Sequence, residues 1–198
     1  MPLDRFAMQI GLGQKGESLV DSMVLGLMQR TITLETKVAE LFDLLRESIY
    51  LYLMAVLRNP ADAEDLTQES FLRLYRALHR GQRINNVRFW LFRVAHNLAC
   101  DHRGKSQPNS TNSPTWEDLR QLLPDTGLNP EQRVLQMEKF ERLHKAMAWL
   151  SPQEVQCLHL RAEGFRYREI GEILKIGEKT AAEYLRRGIG KLMRETNG

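Results

Sequence analysis

The chain has 198 residues, of which 42% are hydrophobic and 27% charged, so it has room for one large or two small globular domains. Its longest apolar run, Ile49 to Leu57, is far shorter than the roughly 20 residues of a membrane-spanning helix. Asp4 stands where a signal peptide carries basic residues. We therefore expect a cytoplasmic protein. The net charge of +3 is too small to identify a partner, but it is unevenly distributed.

The first 33 residues predict a poorly ordered N-terminal arm, since glycines lie among scattered apolar residues and no period is sustained. From Leu34 to Val56, apolar residues recur at steps of three and four, which predicts an amphipathic helix with one apolar face. Asn59 and Pro60 end this helix and begin the next, because asparagine is a good N-cap and proline suits the first helical position. The second helix is expected to end near Leu78.

Acidic and basic side chains are segregated along the second and third predicted helices. Residues 59–72 contain four acids and no basic residue. Residues 73–105 contain eight basic residues and one acid, a net charge of +7 that leaves −4 for the rest of the chain. The third helix is expected from about Val87 to His102. An acidic block beside a basic block indicates two different partners on neighbouring surfaces, one of them a polyanion.

The composition changes after the third helix. Residues 104–115 contain no large apolar side chain, and prolines punctuate the chain as far as Pro130, which is typical of a flexible linker. A second helical unit is expected from about Glu131. The change in composition therefore predicts a domain boundary in this segment.

The C-terminal unit has the pattern of a helix-turn-helix. Its segment Ser151-Pro152-Gln153-Glu154 is a capping box that predicts a helix start, and Gly164 is expected to end that helix in the left-handed conformation. A short helix from about Tyr167 to Leu174, a three-residue turn and a basic helix from Glu178 to about Arg194 then follow. Two helices with this separation are typical of a helix-turn-helix.

Two strings of residues resemble the motifs of a known family. The string DAEDLTQESFLR, residues 62–73, closely resembles D-A-E-D-L-x-Q-E-x-F-x-R, the core-binding helix of the extracytoplasmic-function sigma factors of bacterial RNA polymerase. The string FWLFRVAHNLACD, residues 89–101, is similar to that family's F-x-x-W-L-x-x-I-A-x-N-x-x-x-D pattern with a shifted Phe. The resemblance spans roughly residues 34–103 and 131–194, so the arm and the linker lie outside it.

The resemblance implies an all-α fold with two small helical domains joined by a flexible linker, the second domain containing the helix-turn-helix. It implies a sigma factor that binds core RNA polymerase and directs promoter recognition, local DNA melting and transcription initiation. The expected domains are an arm at 1–33, sigma region 2 at 34–103 for core polymerase and the −10 element, a linker at 104–130, and sigma region 4 at 131–198 for the −35 element.

The acidic second helix is, by resemblance, the polymerase-binding surface. The resemblance implies docking on the clamp helices of the largest catalytic subunit, with the polymerase flap as a further contact and an anti-sigma factor as a possible partner. An acidic helix that meets a basic coiled coil steers association, and a phenylalanine adds apolar anchoring. The matching positions are Asp62, Glu64, Asp65, Gln68, Glu69 and Phe71.

The entrance to the third helix combines the residue types that opened DNA requires. Arginines neutralise phosphates, while amides can read base edges and aromatic rings can stack on bases. The resemblance assigns this region to the −10 element, with a base of the non-template strand flipped into a pocket. Core packing is the alternative role for Trp90 and Phe92. The candidate residues are Arg83, Asn85, Asn86, Arg88, Trp90 and Arg93.

The last helix is, by the same resemblance, the one that enters the major groove of the −35 element. The candidate residues are Lys179, Thr180, Tyr184, Arg186, Arg187 and Lys191. The family's helix opens like G-T-V-K-S-R-L, whereas residues 179–185 here are KTAAEYL. Glu183 can accept a hydrogen bond from cytosine but repels phosphates. Lys175 stands where glycine is common, and in a left-handed turn it costs roughly 1 kcal/mol. We therefore expect an atypical −35 preference and weaker contact.

Three other functions fit parts of the sequence. A conventional helix-turn-helix regulator explains the C-terminal unit but leaves the acidic helix and the basic segment without a role. A sigma-like adaptor that binds polymerase without promoter recognition fits the unusual last helix. An enzyme fits least, because the sequence has no glycine-rich phosphate loop, no metal-ligand cluster and no nucleophile with its base. Cys100 and Cys157 lack the spacing of zinc ligands. From these observations together we expect no enzymatic activity, no cofactor and no metal.

Overall fold

The computed structural model describes residues 19–105 and 149–196, and these residues form seven α-helices and no strand. The helices are α1 (Leu19–Gln29), α2 (Leu34–Leu57), α3 (Pro60–His79), α4 (Val87–Lys105), α5 (Pro152–Ala162), α6 (Tyr167–Leu174) and α7 (Glu178–Thr196). The prediction of an all-α chain with a helix-turn-helix is therefore confirmed. Within the described ranges, none of the helices has both the length and the apolar character needed to cross a membrane.

Local capping places the helix boundaries of the N-terminal unit where the sequence predicts them. The α2 helix ends at Arg58, whose φ of 56° lies in the left-handed region. The side chain of Asn59 then accepts hydrogen bonds from the backbone N–H groups of Ala61 and Asp62 at 3.0 and 3.3 Å. These bonds satisfy donors that a helix start otherwise leaves free. The α2, α3 and α4 helices pack against one another around the apolar face of α2.

The structure differs from the expected poorly ordered arm in residues 19–29, which form α1. Val24 is buried, and Val20, Leu27 and Met28 pack against the core, so these four residues of α1 form one apolar face, whereas Leu19, Met23 and Leu25 of the same helix are exposed. The Nζ of Lys37 donates to the carbonyl of Met28 at 3.0 Å and ties α1 to α2. The short length of this stripe explains why it does not stand out in the sequence. Residues 1–18 lie outside the described ranges.

The C-terminal unit begins with the predicted capping box. The Ser151 hydroxyl accepts from the N–H of Glu154 at 3.3 Å, and the Glu154 carboxylate accepts from the N–H of Ser151 at 2.7 Å. Gly164 follows α5 with φ of 90°, which confirms the predicted left-handed terminator. The expected linker beyond residue 105 and the expected start of the second unit near Glu131 lie outside the described residues.

The helix-turn-helix is formed by α6 and α7. Lys175 ends α6 with φ of 57°, so the unusual lysine does adopt the left-handed conformation anticipated from the sequence. A Cβ atom added to Gly171 would lie 2.8 Å from the carbonyl oxygen of Ile176. Only glycine permits that approach without displacing the backbone of the turn. Ala181, Leu185 and Leu192 of α7 are buried and face the core.

The two helical units share one hydrophobic core. Tyr52 and Phe92 of the N-terminal unit belong to the same buried cluster as Leu160, Phe165 and Ile170 of the C-terminal unit. The α4 helix packs against α6, and α2 packs against α5. Burial of this apolar surface stabilises the arrangement of the units.

His96 is a buried titratable group of the N-terminal unit. Its Nδ1 lies 2.8 Å from the hydroxyl oxygen of Tyr52, and its Nε2 lies 3.4 Å from the Sγ of Cys100. Burial, together with a smaller contribution from the positive charge of Lys175, lowers the pKa of His96 to about 4. The imidazole is therefore neutral in the folded protein at pH values where the unfolded chain is already protonated.

We predict that the free energy of unfolding falls as the pH decreases from 6.5 to 4. The unfolded chain binds a proton near pH 6.5, whereas folded His96 resists protonation down to about pH 4, so the loss is about 3 kcal/mol. Urea titrations of the wild type and His96→Gln across this pH range measure it. In a plot of the free energy of unfolding against pH, His96→Gln should lose this part of the slope. The control His79→Gln, which changes an exposed histidine, should keep it. Equal slopes for wild type and His96→Gln would contradict the assignment.

Candidate protein and nucleic-acid interfaces

The polar residues of the predicted polymerase-binding motif form an acidic face on α3, which we define as Asp62, Glu64, Asp65, Gln68 and Glu69. Asp65 and Gln68 are exposed, and the other three are partly exposed. The first turns of a helix favour acidic side chains because the helix dipole is positive there. The face is therefore compatible with a helical structure while it presents negative charge to solvent.

Two arginines neutralise part of the acidic face, and a histidine lies beside it. Arg46 of α2 donates to both carboxylate oxygens of Glu64, at 3.0 and 3.2 Å. Arg73 donates to Glu69 at 2.8 Å. His102 of α4 lies 3.6 Å from Asp62. The fourth carboxylate of this face, that of Asp65, is exposed and forms no ion pair with any of the described residues.

Phe71 lies in the core and not on the surface. It is 4% exposed, and its ring meets that of Phe42 edge to face with centroids 4.9 Å apart. Such a ring pair adds to the stabilisation that burial provides. In this arrangement Phe71 supports the acidic face from within the core. Its buried ring does not contact a partner directly, although the resemblance implies that it does.

The entrance of α4 contains exposed polar residues beside half-buried rings. Arg83, Asn85 and Arg93 are exposed. Asn86 is exposed as well, but its side chain accepts from the N–H of Phe89 at 2.9 Å and so caps α4. Trp90 is partly buried against the core. Phe92 is fully buried, which agrees with the alternative role in core packing that the sequence left open.

Arg88 is the exception within this group, because its side chain is only 2% exposed. Its guanidinium donates to the carboxylate of Glu163 at 2.8 Å, to the backbone carbonyl of the same residue, and to Asp21 of α1 at 3.4 Å. Its Cζ lies 4.5 Å from the centroid of the Phe165 ring. A buried guanidinium requires such charged and aromatic partners.

The helix α7 carries the candidate −35 residues, and the structure places them in different surroundings. Lys179 and Thr180 are exposed at the start of the helix, and Tyr184 is partly buried against the core. Arg186 and Arg187 are exposed, but both donate to the carboxylate of Glu183, at distances between 2.7 and 2.9 Å. These two guanidinium groups lower the pKa of Glu183 to about 2. Glu183, which replaces the family's usual residue, therefore forms ion pairs with both Arg186 and Arg187.

Lys191 is partly exposed, and its side chain reaches the start of the C-terminal unit. Its Nζ donates to the carboxylate of Glu154 at 2.7 Å and to the carbonyl of Trp149 at 3.2 Å. Because Glu154 is also the capping residue of α5, this bond joins α7 to the start of α5. The structure thus gives Lys191 a bracing role beside the DNA-binding role that the resemblance implies.

Sequence reasoning did not identify Asp21, Glu163 or Phe165, which surround Arg88 from outside its own helix. They lie 67, 75 and 77 positions away from Arg88 along the chain. No spacing rule links positions so far apart, so a single sequence carries no signal for this cluster. Among the described residues, no group of three or more His, Cys, Asp or Glu side chains has the geometry to hold a metal ion.

The comparisons with known proteins match both units. Residues 41–108 match the model of Sigma-70 region 2, and residues 148–194 match that of the bacterial regulatory proteins of the luxR family. The chain is 28% identical over 157 residues to the ECF RNA polymerase sigma factor SigW of Bacillus subtilis, covering 76% of this chain and 83% of the relative. It is 30% identical over 146 residues to the RNA polymerase sigma-H factor of Pseudomonas aeruginosa, covering 68% and 75% respectively.

Proposed function

The chain belongs to the extracytoplasmic-function sigma factors of bacterial RNA polymerase and directs transcription initiation, and from this premise we propose how its surfaces divide the work. The acidic face of α3 binds core polymerase, the entrance of α4 binds the opened −10 element, and α7 binds the duplex −35 element. Family membership is also the ground for assigning no catalytic activity, since sigma factors are regulators. We propose the domain boundaries 34–103 and 131–198, with 104–130 as the linker between them.

The observation that carries the proposal is the acidic face, which lies on the surface within the segment that matches Sigma-70 region 2. Exposed carboxylates on a rigid helix suit a basic coiled-coil partner, and they raise the association rate by long-range attraction. We therefore propose the clamp helices of the largest catalytic subunit as the docking site. The polymerase flap and an anti-sigma factor stay predictions from the family resemblance.

The promoter contacts follow from the charge of the other two surfaces. Exposed Arg83 and Arg93 can neutralise phosphates beside Asn85, whose amide is free to approach a base edge. On α7, Lys179 and Thr180 lie at the N-terminal end of the helix, where residues of a recognition helix contact base edges. Because Glu183 holds Arg186 and Arg187, we propose that the −35 contact is weaker than two free arginines would provide.

Run-off transcription tests the proposed function directly. Purified core polymerase is incubated with this chain and with DNA from upstream of the chain's own gene. A sigma factor yields a discrete start site that core polymerase alone does not yield. A polymerase adaptor or a helix-turn-helix regulator yields no such start, and that result would overturn the proposal.

We predict that the double reversal of Glu64 and Asp65 to Lys weakens binding to core polymerase by at least about 10-fold, because attraction to a basic partner becomes repulsion. Fluorescence anisotropy with labelled protein and purified core polymerase measures the affinity. The matched control reverses Asp43 and Glu47, two exposed acids of α2, with the same change in net charge. Equal weakening by both double variants would attribute the effect to net charge and contradict the docking site.

We predict that Glu183→Ala strengthens binding of the chain to duplex DNA by roughly 3- to 10-fold, because it releases two arginines to contact phosphates. The plot of log affinity against log salt should steepen by up to about 2. Glu178→Ala serves as the control, since it removes the same charge from the same helix. If both variants bind alike, the pairing of Glu183 with the arginines does not regulate DNA contact.

A further inference from the structure

A buried tyrosine, a buried histidine and an exposed cysteine form a hydrogen-bonded row, which we define as Tyr52, His96 and Cys100. The hydroxyl oxygen of Tyr52 lies 2.8 Å from Nδ1 of His96, and Nε2 of the same ring lies 3.4 Å from Sγ of Cys100. Tyr52 is fully buried and His96 is 6% exposed, whereas Cys100 is exposed. Positions 96 and 100 are open in the family pattern that residues 89–101 resemble, so that pattern gives this row no role.

The positions of the protons in the row follow from burial. Burial raises the pKa of Tyr52 well above its usual range, so the hydroxyl keeps its proton. A buried O–H requires an acceptor, and among the described residues Nδ1 of His96 is the acceptor within hydrogen-bond distance. The neutral imidazole carries one proton, which we therefore assign to Nε2. Nε2 then donates to the sulfur of Cys100.

Donation of an N–H to the sulfur favours reaction with an oxidant. The thiolate is the form of cysteine that attacks peroxide, and a charged acceptor makes a stronger hydrogen bond than a neutral one. The positive charge of Lys175 acts at the same place, since it contributes to the lowered pKa of His96. The row therefore supplies a reacting sulfur with a hydrogen-bond donor and a nearby cation.

A buried acceptor close to Cys100 along α4 lacks a donor. The Oδ1 of Asn97 is buried and has no hydrogen-bond partner among the described residues. Asn97 lies three residues before Cys100, and side chains at that spacing are neighbours on a helix. The S–O–H group of a sulfenic acid extends further than the thiol and donates a stronger hydrogen bond. An oxidised Cys100 can thus satisfy an acceptor that the reduced side chain leaves free.

We propose that Cys100 is a site of reversible oxidation by hydrogen peroxide, promoted by His96, Tyr52 and Lys175. The thiolate sulfur attacks one peroxide oxygen, so that an S–O bond forms while the O–O bond breaks. The other oxygen leaves as hydroxide and takes up a proton to become water. Sulfur loses two electrons, peroxide gains them, and the product is a sulfenic acid. Two molecules of a small thiol return it to cysteine, with release of water and of the disulfide of the small thiol.

The first test compares the two cysteines of the folded, full-length chain. The protein is treated with hydrogen peroxide and then with dimedone, which labels sulfenic acids, and peptide mass spectrometry measures the label at each cysteine. Cys157 is the internal control, because it is fully buried and burial raises the pKa of its thiol to about 12. Cys100 should be labelled at least about 10-fold faster than Cys157, and a small thiol should remove its reactivity toward dimedone. Equal labelling in the folded chain would overturn the proposal.

The second test removes the hydroxyl that fixes the imidazole proton on Nε2. Tyr52→Phe keeps the ring that packs against Phe92, with centroids 5.5 Å apart. The oxidation of Cys100 should slow by roughly 3- to 10-fold, which corresponds to the loss of about one hydrogen bond. Tyr50→Phe removes the same group from a partly buried position of the same helix and should keep the parental rate.

Cys157 also reports whether Tyr52→Phe merely loosens the fold. A loosened fold raises the labelling of Cys157, whereas loss of the N–H donor slows Cys100 alone. An unchanged rate at Cys100 in the folded Tyr52→Phe variant, or a decrease that Tyr50→Phe shares, would overturn the proposal.

Lys175→Gly tests the same site without disturbing the core. Lys175 is exposed and has a φ of 57°, a conformation that glycine adopts without strain. Removal of its charge should slow the oxidation of Cys100 by about 2- to 3-fold. Lys179→Ala, which removes the same charge from another exposed position of the C-terminal unit, should have no such effect. Equal rates for the two variants would contradict the proposal. These measurements do not depend on polymerase or DNA, so they stand or fall separately from the run-off assay.

Discussion

The buried ion pairs of Arg88 are the interaction on which the arrangement of the molecule depends. A guanidinium that is 2% exposed must keep its charge, so it requires anionic partners at short distance. Those partners come from α1 and from the end of α5, which are distant in sequence. The charge of Arg88 therefore specifies how α1, α4 and the end of α5 meet. The aromatic contacts around it add burial, but they specify direction less strictly than hydrogen bonds do.

The three surfaces that we propose for polymerase and DNA differ in their exposure and in their ion pairs. The acidic face of α3 is presented to solvent, with part of its charge held by Arg46 and Arg73. The outer face of α7 is also presented, with two arginines held by Glu183. The entrance of α4 is divided between exposed Arg83 and Arg93 and buried Arg88. In each case intramolecular ion pairs compete with a partner, so association with polymerase or DNA exchanges one set of charge pairs for another.

Local rules predicted the helices well, because helix boundaries depend on neighbouring residues. The Asn59 and Ser151 caps and the Gly164 terminator all appear as predicted, and Lys175 adopts the left-handed conformation that its position in the turn required. The candidate surfaces of α3 and α7 could be drawn from helical spacing and family resemblance. The burial of Arg88 and Phe71 could not, because it depends on elements that approach only in the folded chain. The short apolar face of α1 was missed because its burial depends on packing against α2 and α4.

The central claim is that the acidic face of α3 is the surface through which, as we propose, this chain binds core polymerase. Hydrogen–deuterium exchange of the full chain, free and bound to core polymerase, tests this most directly, since exchange reports local opening segment by segment. The account predicts that peptides spanning residues 62–69 gain protection upon binding, whereas peptides that contain Asp43 and Glu47 of α2 do not. Unchanged protection of residues 62–69 upon binding would contradict it.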